Sequence, residues 1–67
     1  MNPNIYYYDF NTMRCWGELA LFLEFWVEEP DGTRSYWGGQ GISSIAEGFR
    51  IIDIMKKHSI VKKMFEV

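Results

Sequence analysis

Three carboxylates, Glu18, Glu24 and Glu28, fall at even spacing within a run of strand-like alternation, so they project from one face of it. A pair of carboxylates can cleave a glycosidic bond, but only when the two groups lie within about 10 Å. At roughly 3.3 Å per residue, Glu18 and Glu24 stand about 20 Å apart, and Glu24 and Glu28 about 13 Å. That spacing suits carboxylates that keep an aromatic surface soluble and steer a partner, not a general acid–base pair. His58 is the sole histidine, and no spacing ties it to Cys15, Ser43, Ser44 or Ser59 as a nucleophile. It falls at the end of a predicted helix, where the dipole favours positive charge. Cys15 reads as a small hydrophobe. One Cys and one His do not complete a tetrahedral zinc site. No catalytic residue, metal or cofactor is expected, and the chain reads as non-enzymatic.

A second candidate is the run Gly38-Gly39-Gln40-Gly41-Ile42-Ser43-Ser44, which leads into a predicted helix. Free N–H groups at a helix start attract anions, and glycines let a phosphate approach the backbone. Gly39, Gly41, Ser43 and Ser44 are therefore candidate ligands for a phosphate-bearing small molecule. The run lacks the Gly-Lys-Ser/Thr of a P-loop and the third glycine of the dinucleotide fingerprint. The plainer reading is a strand-to-helix connection capped by Ser44.

The most specific feature is the run Cys15 to Glu29, read as one long strand. One face is Leu19, Leu21, Leu23, Phe25 and Val27, a core face. The other is Trp16, Glu18, Ala20, Phe22, Glu24, Trp26 and Glu28, where aromatics alternate with acids. A chain of 67 residues has one core, so the second face calls for a different cover. Glu29-Pro30-Asp31-Gly32-Thr33 has the residues of a three-residue hairpin loop with a glycine bulge. That loop predicts Glu28 opposite Arg34, Trp26 opposite Tyr36 and Phe25 opposite Trp37; a two-residue turn would shift each pairing by one.

Residues 4–10 read as a first strand, with a turn at Asn11-Thr12, and Gly17 as a bulge. Ser44-Ile45-Ala46-Glu47 is a capping-box pattern and starts a helix over about residues 44–58. Ile45, Phe49, Ile51, Ile52 and Met55 share its apolar arc, and Gly48 lies inside that arc, where it admits close approach to a sheet. Ile54 falls among polar neighbours. Residues 60–67 read as a final strand with Val61, Phe65 and Val67 on one side, or as a kinked extension of the helix. The expected fold is α+β in two layers, one domain over 1–67: a three- to four-stranded antiparallel meander with one helix on the Leu face.

The block Tyr36 to Glu47 resembles the third strand and final helix of a double-stranded RNA-binding domain in its order of strand, glycines, Ser and helix. That family grips phosphates with lysines at the helix start, where this chain has Ile45, Ala46 and Glu47. The same order also occurs in small antitoxin domains, and no family assignment follows.

Composition narrows the partner. Aromatic residues make up 18% of the chain, with three Trp, four Tyr and five Phe, more than one small core can bury. Net charge is −2, and the positive charge gathers in the Lys56-Lys57 and Lys62-Lys63 pairs. Acids beside the rings would repel phosphates, so nucleic acid is not the expected partner. Met1 to Phe10 lacks the pattern of a secretory signal, no run is long enough to span a membrane, and a lone cysteine suits a reducing compartment; the expected location is the cytoplasm. The expected function is protein binding through Trp16, Glu18, Phe22, Glu24, Trp26, Glu28, Tyr36 and Trp37, towards a basic surface. Self-association, as a homodimer or larger homo-oligomer, is expected too. Small inhibitors or regulators of the kind phages and mobile elements carry fit that description. A purely structural homo-oligomer is the further alternative.

Overall fold

The computed structural model describes residues 4–67. Four strands and one helix follow in the order β1 (Asn4–Cys15), β2 (Glu18–Glu28), β3 (Arg34–Ile42), α1 (Ile45–Lys56) and β4 (Val61–Glu66). The sheet order is β3-β2-β1-β4. β1–β2 and β2–β3 are antiparallel, whereas β4 lies parallel to β1. The sheet is thus mixed and four-stranded, a correction to the antiparallel meander. The reason lies in the connection: the chain leaves β3 at one edge, crosses through α1, and returns at the far edge, so β4 runs in the direction of β3 and β1.

The first turn also differs from expectation. β1 continues through Asn11 and Thr12 to Cys15, and the chain reverses at Trp16–Gly17, with Cys15 paired to Glu18. Both turn residues have positive φ, 52° at Trp16 and 80° at Gly17, the pattern of a two-residue type I′ hairpin. Gly17 is therefore a turn residue and not a bulge. Trp16 holds a conformation that glycine or asparagine adopts more readily, and its ring is fully exposed.

The second hairpin follows the sequence closely. Glu29 N–H donates to Thr33 O at 2.7 Å, Gly32 N–H donates to Glu29 O at 2.9 Å, and Gly32 takes φ 89°. Asp31 accepts from the Thr33 N–H and hydroxyl, which hold its carboxyl below the usual carboxylate range. Glu28 faces Arg34 and Trp26 faces Tyr36 as expected. A bulge then intervenes, so Phe25 faces Gly38 rather than Trp37.

The core is Tyr6, Leu23, Phe25, Ile52, Val61 and Met64. Leu23 and Ile52 are the most completely enclosed, each contributing about 1.5–3 kcal/mol by transfer from water. Tyr6, Tyr8 and Phe10 pair with Val27, Phe25 and Leu23, so they lie on the helix side. Burial, with Glu66 nearby, raises the Tyr8 hydroxyl pKa. Gly48 is buried, and a Cβ there would stand 2.3 Å from Phe10 Cε1 and 2.9 Å from Ile42 Cδ1. The helix approaches the sheet at that glycine. Ile51 and Met55 pack against the core, but Ile45 and Phe49 stay partly exposed, Phe49 meeting the rings of Tyr8 and Phe10. Leu19 is exposed, because the β1–β2 hairpin tip runs beyond the end of β3's pairing at Leu21.

Residues 60–67 do not extend the helix, since β4 forms there, with Val61 and Met64 buried. The β1–β4 register shifts between Asn4 and Ile5, bringing these two residues, three apart, to the core. Phe65 pairs with Tyr7 on the opposite side, separated from Val61.

Candidate protein-binding face

Alternation along β1 and β2 assigns the side away from α1 to Tyr7, Asp9, Asn11, Met13, Phe22, Glu24, Trp26 and Glu28, flanked by Tyr36 of β3 and Phe65 of β4. Among the described residues no element packs over this side. The N-terminal tyrosines do not fold back across it: β1 is an inner strand and widens the sheet, contributing Tyr7 to the face and Tyr6 and Tyr8 to the core.

The rings touch one another across strands. Trp26 and Tyr36 meet edge-on with centroids 5.7 Å apart, and Tyr7 and Phe65 meet at 6.0 Å. The Tyr7 hydroxyl donates to Glu28 Oε1 at 2.9 Å, and the Arg34 guanidinium lies over the Tyr7 ring, 3.6 Å from its centroid. Arg34 is thus opposite Glu28 on the ladder while its charge rests on an aromatic face. Asp9 pairs directly with Glu24, two like charges on adjacent strands, and Asn11 donates to Glu24. A like-charged cross-strand pair opposes folding slightly, so this pair concentrates negative potential where folding gains nothing from it.

The structure divides the eight residues singled out in the sequence. Phe22, Glu24, Trp26, Glu28 and Tyr36 share the open face. Glu18 lies at its distal end beside Cys15, which is half-buried with a free thiol. Trp16 leaves the face, because it sits in the turn. Trp37 leaves it as well: the bulge rotates its ring to the helix side, 5.1 Å from Tyr6 and 6.1 Å from Phe25. Tyr7, Asp9 and Phe65 join the face unforeseen. Alternation within residues 4–10 would have placed Tyr7 and Asp9 together, but the pairing partner was needed to say on which side.

Gly39 and Gly41 are not loop residues; both belong to β3. Ser44 caps α1 by accepting from Glu47 N–H at 3.1 Å. Glu47 in turn accepts from the Ser43 N–H at 2.8 Å and from the Ser43 hydroxyl, contacts that lower its pKa. The chain's own carboxylate thus occupies one of the amide donors that a phosphate would use. At the other end of the sheet, Asn4, Ile5, Glu28, Glu29, Pro30 and Lys62 border an open depression of about 250 Å³.

Among the described residues no cluster of three His, Cys, Asp or Glu side chains could hold a metal, and no helix is long and apolar enough to cross a membrane. Comparison with protein families, curated proteins and solved structures finds no match to this chain.

Proposed function

We propose that this chain is a non-enzymatic protein-binding module that acts through the side of the sheet opposite α1, as a small inhibitor or regulator. The observation that carries this reading is a sheet face with five aromatic rings, from Tyr7, Phe22, Trp26, Tyr36 and Phe65, that no described element covers. Solvent-accessible aromatic side chains such as the Trp26–Tyr36 and Tyr7–Phe65 pairs are the usual anchors of protein interfaces. Asp9, Glu24 and Glu28 sit among the rings, whereas Arg34 and Lys63 stand on the outer strands. The centre of the face therefore complements a basic partner surface.

The test is co-purification of the tagged chain from its native cells, with Trp26→Ala and Glu24→Lys as separate variants whose melting is checked first. Loss of a specific partner in both supports the reading. A partner retained by both folded variants refutes it.

A further inference from the structure

We infer that the outer edge of β3 takes an extended peptide segment of the partner as a fifth strand, with a bulky apolar side chain seated beside Gly38 and basic side chains reaching Glu24. This rests on the reading of the open face as a protein-binding surface and names the chemistry that would engage its border.

The two edges of the sheet differ in how they meet a potential neighbour strand. β4 carries Lys62 and Lys63, and its pairing with β1 is irregular, both features that discourage further pairing. β3 has no lysine and no proline over Arg34–Ile42, and among the described residues no strand lies on its outer side. Its polar backbone is accessible there. Even-numbered residues of β2 bond to β1 through the Cys15–Glu18 hairpin ladder, so Gly39 and Gly41, opposite Glu24 and Phe22, turn their N–H and C=O groups outward. Such a row of donors and acceptors is matched by an extended backbone, which supplies both in the same alternation.

The side-chain environment specifies what that backbone carries. On the helix side, Phe25, Trp37, Gly38, Gly39, Gln40 and Met55 line an open hollow of about 260 Å³. A Cβ built on Gly38 would meet nothing within 4 Å, so the hollow is unfilled. The bulge that turns Trp37 to this side makes its wall. Ile54 is not part of this hollow: it lies about 160° around the helix from the buried Ile52, on the solvent side, where it is 64% exposed. None of the six residues lining the hollow is charged. On the other side, a Cβ at Gly39 would lie 2.9 Å from the Tyr36 hydroxyl and 3.2 Å from Glu24 Cγ. These two groups fill the space above Gly39, so a side chain of an added strand opposite that glycine meets the Tyr36 ring at once and, two strand spacings in, the Glu24 carboxylate, where a Lys or Arg is favoured. An apolar residue flanked by basic ones is the pattern that fits both sides.

The probe is the peptide acetyl-Thr-Lys-Phe-Lys-Val-Thr-amide, titrated into the full chain by calorimetry, with backbone amide shifts of Gly39 and Gly41 followed by NMR. Saturable binding below about 1 mM is expected. Replacing both peptide lysines by glutamate should weaken it about tenfold. Gly38→Val, whose Cβ meets no neighbour, projects into the hollow and should weaken binding at least about tenfold while the protein remains folded, and Trp37→Ala, which removes the hollow's wall, should act in the same direction. No binding at 1 mM, or unchanged affinity in both folded variants, overturns the inference. So does a doubling of mass without peptide that Gly38→Val abolishes, which would assign the edge to a second copy. If Gly38→Val keeps the native partner while Trp26→Ala and Glu24→Lys lose it, the edge inference falls and the open-face reading stands.

Discussion

Gly48→Ala should destabilise the protein, although alanine is the better helix former. In a helix interior, exchanging Gly for Ala gains about 1 kcal/mol. Here the new methyl would lie 2.3 Å from Phe10 Cε1, against a normal carbon contact of about 3.5–4 Å. The Phe10 ring cannot simply swing aside, because it packs against Phe49 at 5.3 Å and Tyr8 at 6.0 Å, and Ile42 Cδ1 closes the other side at 2.9 Å. Overpacking of this kind costs about 1–3 kcal/mol, and a first contact this short belongs at the upper end. The net loss is therefore about 1–2 kcal/mol, which for a domain of this size lowers the melting temperature by roughly 5–15 °C. Thermal unfolding followed by circular dichroism reads this directly. Ala46→Gly, the reverse exchange at an exposed site on the same helix, should lower stability by about 0.5–1 kcal/mol. Phe10→Leu added to Gly48→Ala should return part of the loss. A rise in melting temperature for Gly48→Ala would mean that helix propensity alone governs the site, and the close helix–sheet approach would be refuted.

Trp16→Asn should raise stability by about 1 kcal/mol, since it relieves a left-handed backbone conformation without removing any packing; an unchanged or lower melting temperature counts against the type I′ turn. Tyr7→Phe removes the donor to Glu28 but keeps the ring under Arg34, and should cost about 1 kcal/mol in urea unfolding, less than Tyr7→Ala. Folded-state carboxyl pKa values below the unfolded ones add stability above the unfolded pKa, and that stability is lost as pH falls through the folded one. Glu47 and Asp31 are both lowered by their hydrogen bonds, so the melting temperature should decline on acidification through the carboxylate range. Glu47→Gln should flatten that decline, and an identical pH profile in the variant would remove Glu47 from its cause.

Much of the fold could be read where one residue type has one geometric use. Pro30, Asp31 and Gly32 specify a hairpin loop almost alone, and the register it sets carries through to Trp26–Tyr36. Ser44 and Glu47 mark the helix start, and Gly48 within an apolar arc marks the approach to the sheet. The Leu23–Phe25 side was legible as core from alternation. What escaped depends on partners distant in sequence or on residues in unusual roles. A tryptophan in a left-handed turn position hides the Trp16–Gly17 reversal, because the signal there is expected from Asn or Gly. The bulge beside Phe25 moves Trp37 across the sheet, and no local pattern announces it. The parallel β1–β4 pair joins residues nearly the whole chain apart, and its irregular register puts Val61 and Met64 on one side despite their odd spacing. The open face was therefore recognisable from β2 alone, whereas its full membership needed β1 and β4 in place.

The parallel pairing of β1 with β4 has a mechanical consequence. Tension applied at Asn4 and Val67 would pull two adjacent strands past each other along their length, from opposite ends. The ladder bonds between them, including Val67 N–H to Tyr8 O and Asn4 N–H to Ile60 O at 2.8 Å each, would share that load at once instead of opening in turn like a zipper. A protein of this size would then resist being drawn out by its ends more strongly than its modest core suggests, and the hairpins would yield only after that seam had sheared.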